Sequence, residues 1–280
     1  MTTPWGAEVP RLSPSCAKVL LSKSPLHAWT QHRLGGDEKS EDTDDKDQGK
    51  LLDRLLLGVG PELVIVDAAD WRTKAAQEAK AAAKLAGKLP ILREKLAAQQ
   101  AIVDAWKAQL VAHDIEFTGK SQVTVDWESD GVPCRGKLDH LIVDEARAIV
   151  YDLKSTEDAS QQGITRSVVS YGYDIQGAAY VEGIETKYPH LAGRVTFKLI
   201  FGEKSRRDAY AINVVSFGGT MRELGERKWR RAKRIWGECL KTGEFPGYQG
   251  APIEASAWQL AEEMERQGAE MTASNEPPPF

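Results

Sequence analysis

The sequence predicts an α/β fold of the α+β kind, in which helices flank a central mixed β-sheet and a helical portion comes first. Up to about residue 115 the apolar residues recur at helical spacing, for example at Ile102, Trp106 and Leu110. From residue 122 onward they alternate, and the predicted elements follow in the order β-β-β-α-β-β-α. That order indicates one sheet with helices packed against it.

The first half of the chain is predicted to be mainly helical. Ser13 or Ser15 can cap the first helix, and Ser24 followed by Pro25 begins the second. The predicted helices cover residues 16–22, 25–29, 49–57, 74–87 and 91–112, and a short strand covers residues 61–67.

The second half begins with a predicted strand over residues 122–127, and Asp130-Gly131 after it is a strong turn signal. A two-stranded hairpin is predicted over residues 132–155. Beyond the hairpin, the sequence predicts a helix over residues 170–182, strands over residues 194–201 and 209–215, and a helix over residues 220–241.

The net charge of −4 is distributed unevenly. Residues 37–47 carry a net −5 and residues 260–280 carry a net −4, which leaves +5 for the remainder. Both acidic segments have compositions that resist burial. We therefore expect an acidic mobile loop at about 36–48 and a disordered acidic tail at 261–280. A single mildly basic domain is expected over residues 1–260, helical to about 115 and with its core at about 120–241.

The three cysteines, Cys16, Cys134 and Cys239, are far apart and odd in number, so we expect buried free thiols rather than a disulfide framework. No segment has the apolar length of a membrane span, and the N-terminus lacks the basic-then-apolar pattern of a signal peptide. The expected compartment is the cytoplasm.

The hairpin carries the most informative side chains, Asp139 on its first strand and Asp152 and Lys154 on its second. Alternate residues of a strand share a face, so Asp152 and Lys154 point the same way. If residues 144–147 form a turn with a two-residue loop, residues whose numbers sum to 291 face each other, and Asp139 faces Asp152. Two such close carboxylates repel unless a cation lies between them, and oxygen ligands suit Mg²⁺ or Mn²⁺.

Two alternatives stay open for this hairpin. Glu145-Ala146 is a poor two-residue loop, and a three-residue loop would shift the pairing by one residue and weaken the geometry. The charged side chains could also form no more than the solvated surface of a hairpin.

Two polar residues of the following helix, Gln176 and Tyr180, are four apart and share one helical face. Together with the hairpin they make the chain resemble the PD-(D/E)XK nuclease superfamily and, within it, the exonuclease VIII (RecE-type) phage recombination exonucleases. The resemblance covers most of the chain and implies a restriction-endonuclease-like core. It is carried by Gly136-x-x-Asp139, Asp152-Leu153-Lys154, Gln176-x-x-x-Tyr180 and segments at residues 20–29, 70–88 and 242–248.

The resemblance implies a role for each residue of these motifs. Asp139 and Asp152 would be ligands of a divalent metal, with the backbone carbonyl of Leu153 as a third. Lys154 would orient and activate the attacking water and stabilise charge on the phosphate. The two polar residues of the following helix would be substrate-side supports. The implied cofactor is Mg²⁺, with Mn²⁺ as a substitute and two ions in each site.

Two further carboxylates are candidate metal ligands. Relatives carry a helical Gly-x-x-x-His pattern whose histidine joins the metal site, whereas here Gly49 is followed by Asp53. Asp53 could ligate, since carboxylate oxygen suits Mg²⁺, or it could be a surface residue at a site lacking that ligand. Glu203, where related sequences often carry a glutamate, could face the cleft or solvent. His27 and His32 are expected to be structural.

The last predicted helix is basic, since residues 222–234 contain seven lysines and arginines against two glutamates. Trp229 and Trp236, one heptad apart, are expected to face the core. The arginines could bind DNA phosphates or could simply be solvated. The candidates are Arg227, Arg230, Arg231 and Arg234.

The resemblance implies a metal-dependent exonuclease that acts 5′ to 3′ on linear double-stranded DNA and leaves single-stranded tails for phage-type recombination. Its implied partners are duplex DNA ends, other copies of the chain in a ring, and a single-strand annealing protein. The acidic end, residues 276–280, could contact another protein. The alternatives are a catalytically impaired DNA-binding or scaffold protein, for which Asp53 is the main argument, and a related endonuclease.

Overall fold

The structure is a computed structural model that describes residues 5, 8–35, 44–205, 207, 209–250 and 252–274. The chain divides into two compact units, Met1–Gly247 and Tyr248–Phe280. The helices are α1 (Pro14–Ser22), α2 (Pro25–Thr30), α3 (Asp44–Leu57), α4 (Lys74–Leu85), α5 (Arg93–Ala112), α6 (Gln161–Tyr171), α7 (Tyr173–Lys187), α8 (Gly219–Thr242) and α9 (Ala257–Ser274). The strands are β1 (Leu63–Val66), β2 (Leu89–Leu92), β3 (Lys120–Ser129), β4 (Val132–Val143), β5 (Ala148–Thr156), β6 (Val195–Glu203) and β7 (Ile212–Ser216).

Capping side chains place the first helices where the sequence predicts them. The Ser13 side chain accepts a hydrogen bond from the N–H of Cys16, so Ser13 caps α1. Ser24 does the same for α2 by accepting from the N–H of His27. A proline follows each cap at a position where no intrahelical N–H is needed.

The predicted central mixed sheet flanked by helices is confirmed. Its five strands lie in the order β3-β4-β5-β6-β7, with β5 and β6 parallel and the other neighbours antiparallel. The turn between β3 and β4 is formed by Asp130 and Gly131, whose φ values of 54° and 72° match the left-handed backbone that a tight hairpin requires.

Each face of this sheet is covered by helices. On one face, Trp229 and Trp236 of α8 belong to the same buried cluster as Val150 of the sheet, so the tryptophans of the basic helix do face the core. Helices α1, α6 and α7 contribute to this cluster. On the other face, Trp106 of α5 packs in a cluster with Tyr151 and Ile200, to which α3 also contributes.

A second, two-stranded sheet was not predicted in full. β1 and β2 pair in parallel, from Leu63↔Leu89 to Val66↔Leu92, with α4 as the crossover between them. The helix predicted over residues 91–112 therefore begins only at Arg93. A short apolar run such as residues 89–92 cannot be assigned to a strand or a helix from periodicity alone, which explains the error.

The structure differs from the prediction at both acidic segments. Residues 44–48 of the expected mobile loop belong to α3, and residues 36–43 lie outside the described part of the chain. Residues 257–274 form α9, so the tail is helical rather than disordered up to residue 274. Alanine, glutamate, glutamine and methionine favour a helix. The prediction of disorder was wrong here because it considered the acidic charge of the segment and not this helix preference. Residues 275–280 lie outside the described residues.

All three cysteines are buried free thiols, as predicted. Over the residues that the structure describes, no helix has both the length and the apolar character needed to cross a bilayer.

Candidate active site

The hairpin of β4 and β5 has the register of a two-residue loop, and its ladder of paired residues ends at His140↔Tyr151, one step before Asp139 and Asp152. The pairs His140↔Tyr151 and Val143↔Ala148 both sum to 291, as a two-residue loop requires. The Asp144 side chain explains why Glu145-Ala146 is tolerated there. Its Oδ1 accepts from the backbone N–H of Ala146 at 2.7 Å and of Arg147 at 2.8 Å.

Asp139 lies at an irregular step of β4. Leu138 and Leu141 belong to the same buried cluster although they are three positions apart, an odd number, so the alternation of faces is interrupted between them. Opposite this step on β3, Gln122 has a φ of 53° and is missing from the ladder of paired residues. Asp139 Oδ2 instead accepts the backbone N–H of Leu153 at 2.9 Å. The carboxylate is thus fixed against the strand that carries Asp152.

Asp152 is the most buried of the site carboxylates, with 1% of its surface exposed. Gln176 Nε2 donates to Asp152 Oδ1 at 2.8 Å. Asp152 Oδ2 accepts no hydrogen bond and is ion-paired with the ammonium of Lys154. That ammonium also lies 4.7 Å from the centroid of the Tyr173 ring. The structure therefore brings together the aspartate, lysine and glutamine that the sequence selected.

Tyr180 connects α7 to β4. Its hydroxyl donates to the carbonyl of Lys137 at 2.6 Å and lies 3.1 Å from Gln176 Nε2. Two glycines allow this close approach. A Cβ on Gly136 would lie 2.9 Å from the Tyr180 ring, and a Cβ on Gly177 would lie 2.7 Å from Phe197. Tyr180 thus holds Gln176, and through it Asp152, in place.

Asp53 of α3 belongs to the site, and the residue that shows this is Gln122, which the sequence reasoning missed. Gln122 Nε2 lies 3.0 Å from Asp53 Oδ2 and 3.4 Å from Asp139 Oδ1, so one amide connects the two carboxylates. The Asp130-Gly131 turn pairs residues whose numbers sum to 261, as in Ser129↔Val132, and that sum places Gln122 opposite Asp139. The sequence could therefore have identified Gln122 from the register of this hairpin.

The site carries an excess of negative charge in a buried position. Burial, followed by the nearby carboxylate of Asp152, raises the pKa of Asp139 to about 8. Burial likewise raises the pKa of Asp53 to about 6. Burial lowers the pKa of the Lys154 ammonium, but Asp152 and Asp139 outweigh that effect and leave the pKa above its usual value. Lys154 lowers the pKa of both Asp139 and Asp53, and Lys137 lowers that of Asp53, but burial outweighs these lysines and leaves both pKa values raised.

This donor set fits a hard divalent cation. Among the described residues, no group of three His, Cys, Asp or Glu side chains converges as a ready metal cage. Mg²⁺ does not require one, because it commonly keeps several waters and binds one or two carboxylates. The burial of the Asp152 carboxylate and the raised pKa of Asp139 are what such an ion would relieve. Asp139, Asp152 and the carbonyl of Leu153 are the groups that would hold it.

Glu203 is not among the groups brought together here. It pairs with Thr156, four residues beyond Asp152 on β5 and therefore about 13 Å along the strand. Its carboxylate accepts from the N–H of Ala159 at 2.7 Å and so holds the loop before α6. His27 and His32 are also held elsewhere, by Ser24 and by the carbonyl of Arg11.

The four arginines proposed to bind DNA are exposed on α8. Arg227 is paired with Glu223 at 2.6 Å. Two lysines of the same helix are committed to structural ion pairs, Lys228 with the buried Asp174 and Lys233 with Glu182. DNA binding by Arg227, Arg230, Arg231 and Arg234 stays a prediction.

Comparisons with known proteins place this geometry in context. The profile of a family described as "PDDEXK-like domain of unknown function (DUF3799)" matches residues 64–253. A crystal structure named "Putative exonuclease" from Eubacterium rectale is 14% identical, with a TM-score of 0.57 over 90% of this chain and 92% of that one. A phage related exonuclease from Haemophilus somnus is 12% identical, with a TM-score of 0.32 over 84% and 97% of the two chains, which is too low to support an argument. No curated protein matches the chain. The family match and the first structure agree with the restriction-endonuclease-like core that the sequence implies.

Proposed function

Because the chain belongs to the PDDEXK-like domain family DUF3799, we propose that it is a metal-dependent DNA exonuclease of the RecE type. The observation that carries the proposal is the contact set around Asp152. Its carboxylate contacts the Lys154 ammonium and the Gln176 amide, and Asp139 of the neighbouring strand accepts the N–H of Leu153, the residue that follows Asp152. Such a set provides metal-ligating oxygens and a cation side by side, which is what hydrolysis of a phosphodiester requires.

Each side chain has a distinct task in this proposal. Asp139, Asp152 and the Leu153 carbonyl hold Mg²⁺, or Mn²⁺ in its place, as two ions in each site. A metal held there would lower the pKa of water and stabilise charge on the phosphoryl group. Lys154 orients the attacking water and stabilises the phosphate, while Gln176 keeps Asp152 in position. Asp53 takes the place of the family's histidine, since Gln122 connects it to Asp139.

The proposed substrate is the end of linear double-stranded DNA, degraded 5′ to 3′ to leave a single-stranded tail for an annealing protein in phage-type recombination. Two observations support this choice: the sequence motifs resemble those of the RecE type, and the Eubacterium rectale protein of similar fold is named a "Putative exonuclease". We further propose that copies of the chain form a ring around DNA in the cytoplasm, where the arginines of α8 contact phosphates.

The test is digestion of linear and covalently closed circular duplexes with Mg²⁺ and with EDTA. We expect the linear duplex alone to be degraded, and only with the metal. Phosphorothioate linkages at the 5′ ends should protect it, whereas the same linkages at the 3′ ends should not. Cleavage of the circle would identify an endonuclease instead. Binding without cleavage of either duplex would identify the impaired DNA-binding protein, which the inclusion of Asp53 in the site argues against.

A further inference from the structure

A cavity of about 420 Å³ lies next to the candidate active site. β5 continues from Lys154 into its wall, where Ser155 and Thr156 line it. Tyr173 lines it as well, and the centroid of the Tyr173 ring lies 4.7 Å from Lys154 Nζ. The cavity therefore lies beside the lysine that the proposed reaction uses, and its volume is in the range of small-ligand pockets.

The lining of this cavity includes a pair of stacked tyrosines. Tyr171 ends α6 and Tyr173 begins α7, with Gly172 between them at a φ of 67°. Their ring centroids are 5.6 Å apart and their planes differ by 24°. Tyr171 nevertheless keeps 58% of its surface exposed. A tyrosine that is held in place and still exposed offers an aromatic surface to a ligand.

The charges around the cavity indicate where a phosphate would bind. Two cations of the lining are already neutralised, Arg166 by Asp158 at 3.0 Å and Lys204 by Glu157 at 2.9 Å. A third cation, Lys18 of α1, is not part of the lining but lies against Tyr171, with its Nζ 5.2 Å from the centroid of that ring. In the described part of the chain, Lys18 forms no ion pair with a carboxylate. One aromatic surface and one available cation match a single nucleotide.

We propose that Tyr171 is a stacking platform for an unpaired nucleobase of the strand held at Lys154, and that Lys18 binds a phosphate of that strand. The inference rests on the proposed function, because it assumes that Lys154 faces a nucleic-acid phosphate. Stacking on an aromatic ring is tolerant of base identity, which suits a site that must accept every nucleotide in turn.

Binding of a fluorescently labelled single-stranded decanucleotide in EDTA, measured by anisotropy, tests the inference. EDTA prevents metal-dependent cleavage, so binding is observed alone. We expect Tyr171→Leu to raise the Kd at least about fivefold and Tyr171→Phe, which keeps the ring, to stay within about twofold of wild type. Lys18→Gln should also weaken binding, and it should reduce the slope of log K against log salt by about 0.7, whereas Tyr171→Leu should leave that slope unchanged.

Thermal melts confirm that each variant is folded. The inference is overturned if Tyr171→Leu binds like wild type, if Tyr171→Phe is as weak as Tyr171→Leu, or if wild type does not bind the oligonucleotide. A wild-type protein that shows these binding differences but cleaves no DNA with Mg²⁺ would refute the proposed function and leave the stacking site intact.

Discussion

The carboxyl group of Asp139 is where folding stability and metal binding compete. In the metal-free protein it lies beside Asp152 and is connected through Gln122 to Asp53. Asp139 and Asp53 each cost less free energy when protonated, because burial penalises the charged form. A cation removes that penalty and requires the charged form. The residues that would bind the metal are therefore expected to destabilise the fold without it.

Asp139→Asn should stabilise the metal-free protein as the pH rises. The folded pKa of Asp139, about 8, lies above the unfolded value near 3.9. The stability that this group contributes is complete below about pH 4 and is lost as the pH rises through about 8. Urea unfolding in EDTA should give equal free energies of unfolding for the two proteins near pH 4 and an advantage of about 1–3 kcal/mol for Asp139→Asn at pH 8. Added Mg²⁺ should stabilise wild type alone at pH 8. Parallel curves across this range would contradict the assignment.

Asp53 should contribute to metal affinity without being indispensable. Asp53→Ala is expected to raise the Mg²⁺ concentration for half-maximal cleavage by about tenfold, as loss of a supporting group at a metal site commonly does. Asp53→His, which introduces the residue that the RecE-type resemblance implies at this position, should recover most of that affinity. The matched control is Asp67→Asn, at an exposed aspartate paired with Arg93. An unchanged metal requirement in Asp53→Ala would mean that this carboxylate only neighbours the site.

Helix α7 packs on the sheet, and two of its side chains hold residues of the candidate site in position. Its Gln176 reaches Asp152, and its Tyr180 reaches the carbonyl of Lys137. This arrangement depends on a close approach of helix and strand at Gly136, where a Cβ would lie 2.9 Å from the Tyr180 ring. The distance between α7 and β4 therefore determines the position of the Asp152 carboxylate.

Gly136→Ala should push α7 away from β4. We expect a loss of about 1–3 kcal/mol in the free energy of unfolding, which is typical of overpacking, and a drop in activity larger than the loss of folded protein explains. Chemical denaturation and cleavage rates per folded molecule measure the two effects. Gly49→Ala is the control, since a Cβ there meets nothing within 4 Å in α3. Full activity in Gly136→Ala would show that the spacing is not critical.

At the scale of single elements, the sequence predicted most of the features that strand alternation and helix capping determine. The hairpin, its register and the face of α7 followed from turn chemistry and from the periods of strand and helix. Gln122 was missed because its contribution depends on an irregular step opposite Asp139, which no local pattern encodes. β2 was missed because four apolar residues fit a strand or a helix equally well. Asp53 could be named but not placed, because its contact with Gln122 spans 69 residues of sequence.

At the scale of the whole molecule, residues near the two ends of the first unit, Met1–Gly247, pack against each other. Phe245 stacks on Trp29 with ring centroids 4.5 Å apart and contacts Trp236 at 5.1 Å. Leu26 N–H also donates to the carbonyl of Pro246 at 3.0 Å. Residues up to Gly247 therefore belong to the nuclease fold, whereas Tyr248–Phe280 forms a unit of its own.

Ending the chain at Gly247 should preserve the folded unit. We expect a Tm within a few degrees of the full-length value and retained cleavage of linear duplex. Ending it at Thr242 should lower the Tm by far more, because it removes the ring of Phe245 from between Trp29 and Trp236. Calorimetry and gel assays on the two truncations decide this. A truncation at Gly247 that fails to fold would show that the second unit is needed for stability.

The central claim is that Asp152 and Lys154 form the centre of a metal-dependent nuclease, and the most direct measurement is nucleotide release from end-labelled linear duplex with Mg²⁺. Wild type should release nucleotides, whereas Asp152→Asn and Lys154→Gln should each lose at least about a hundredfold in rate while remaining folded. Lys95→Gln, at an exposed lysine of α5, should match wild type. Activity in either site variant equal to that of wild type would contradict the account.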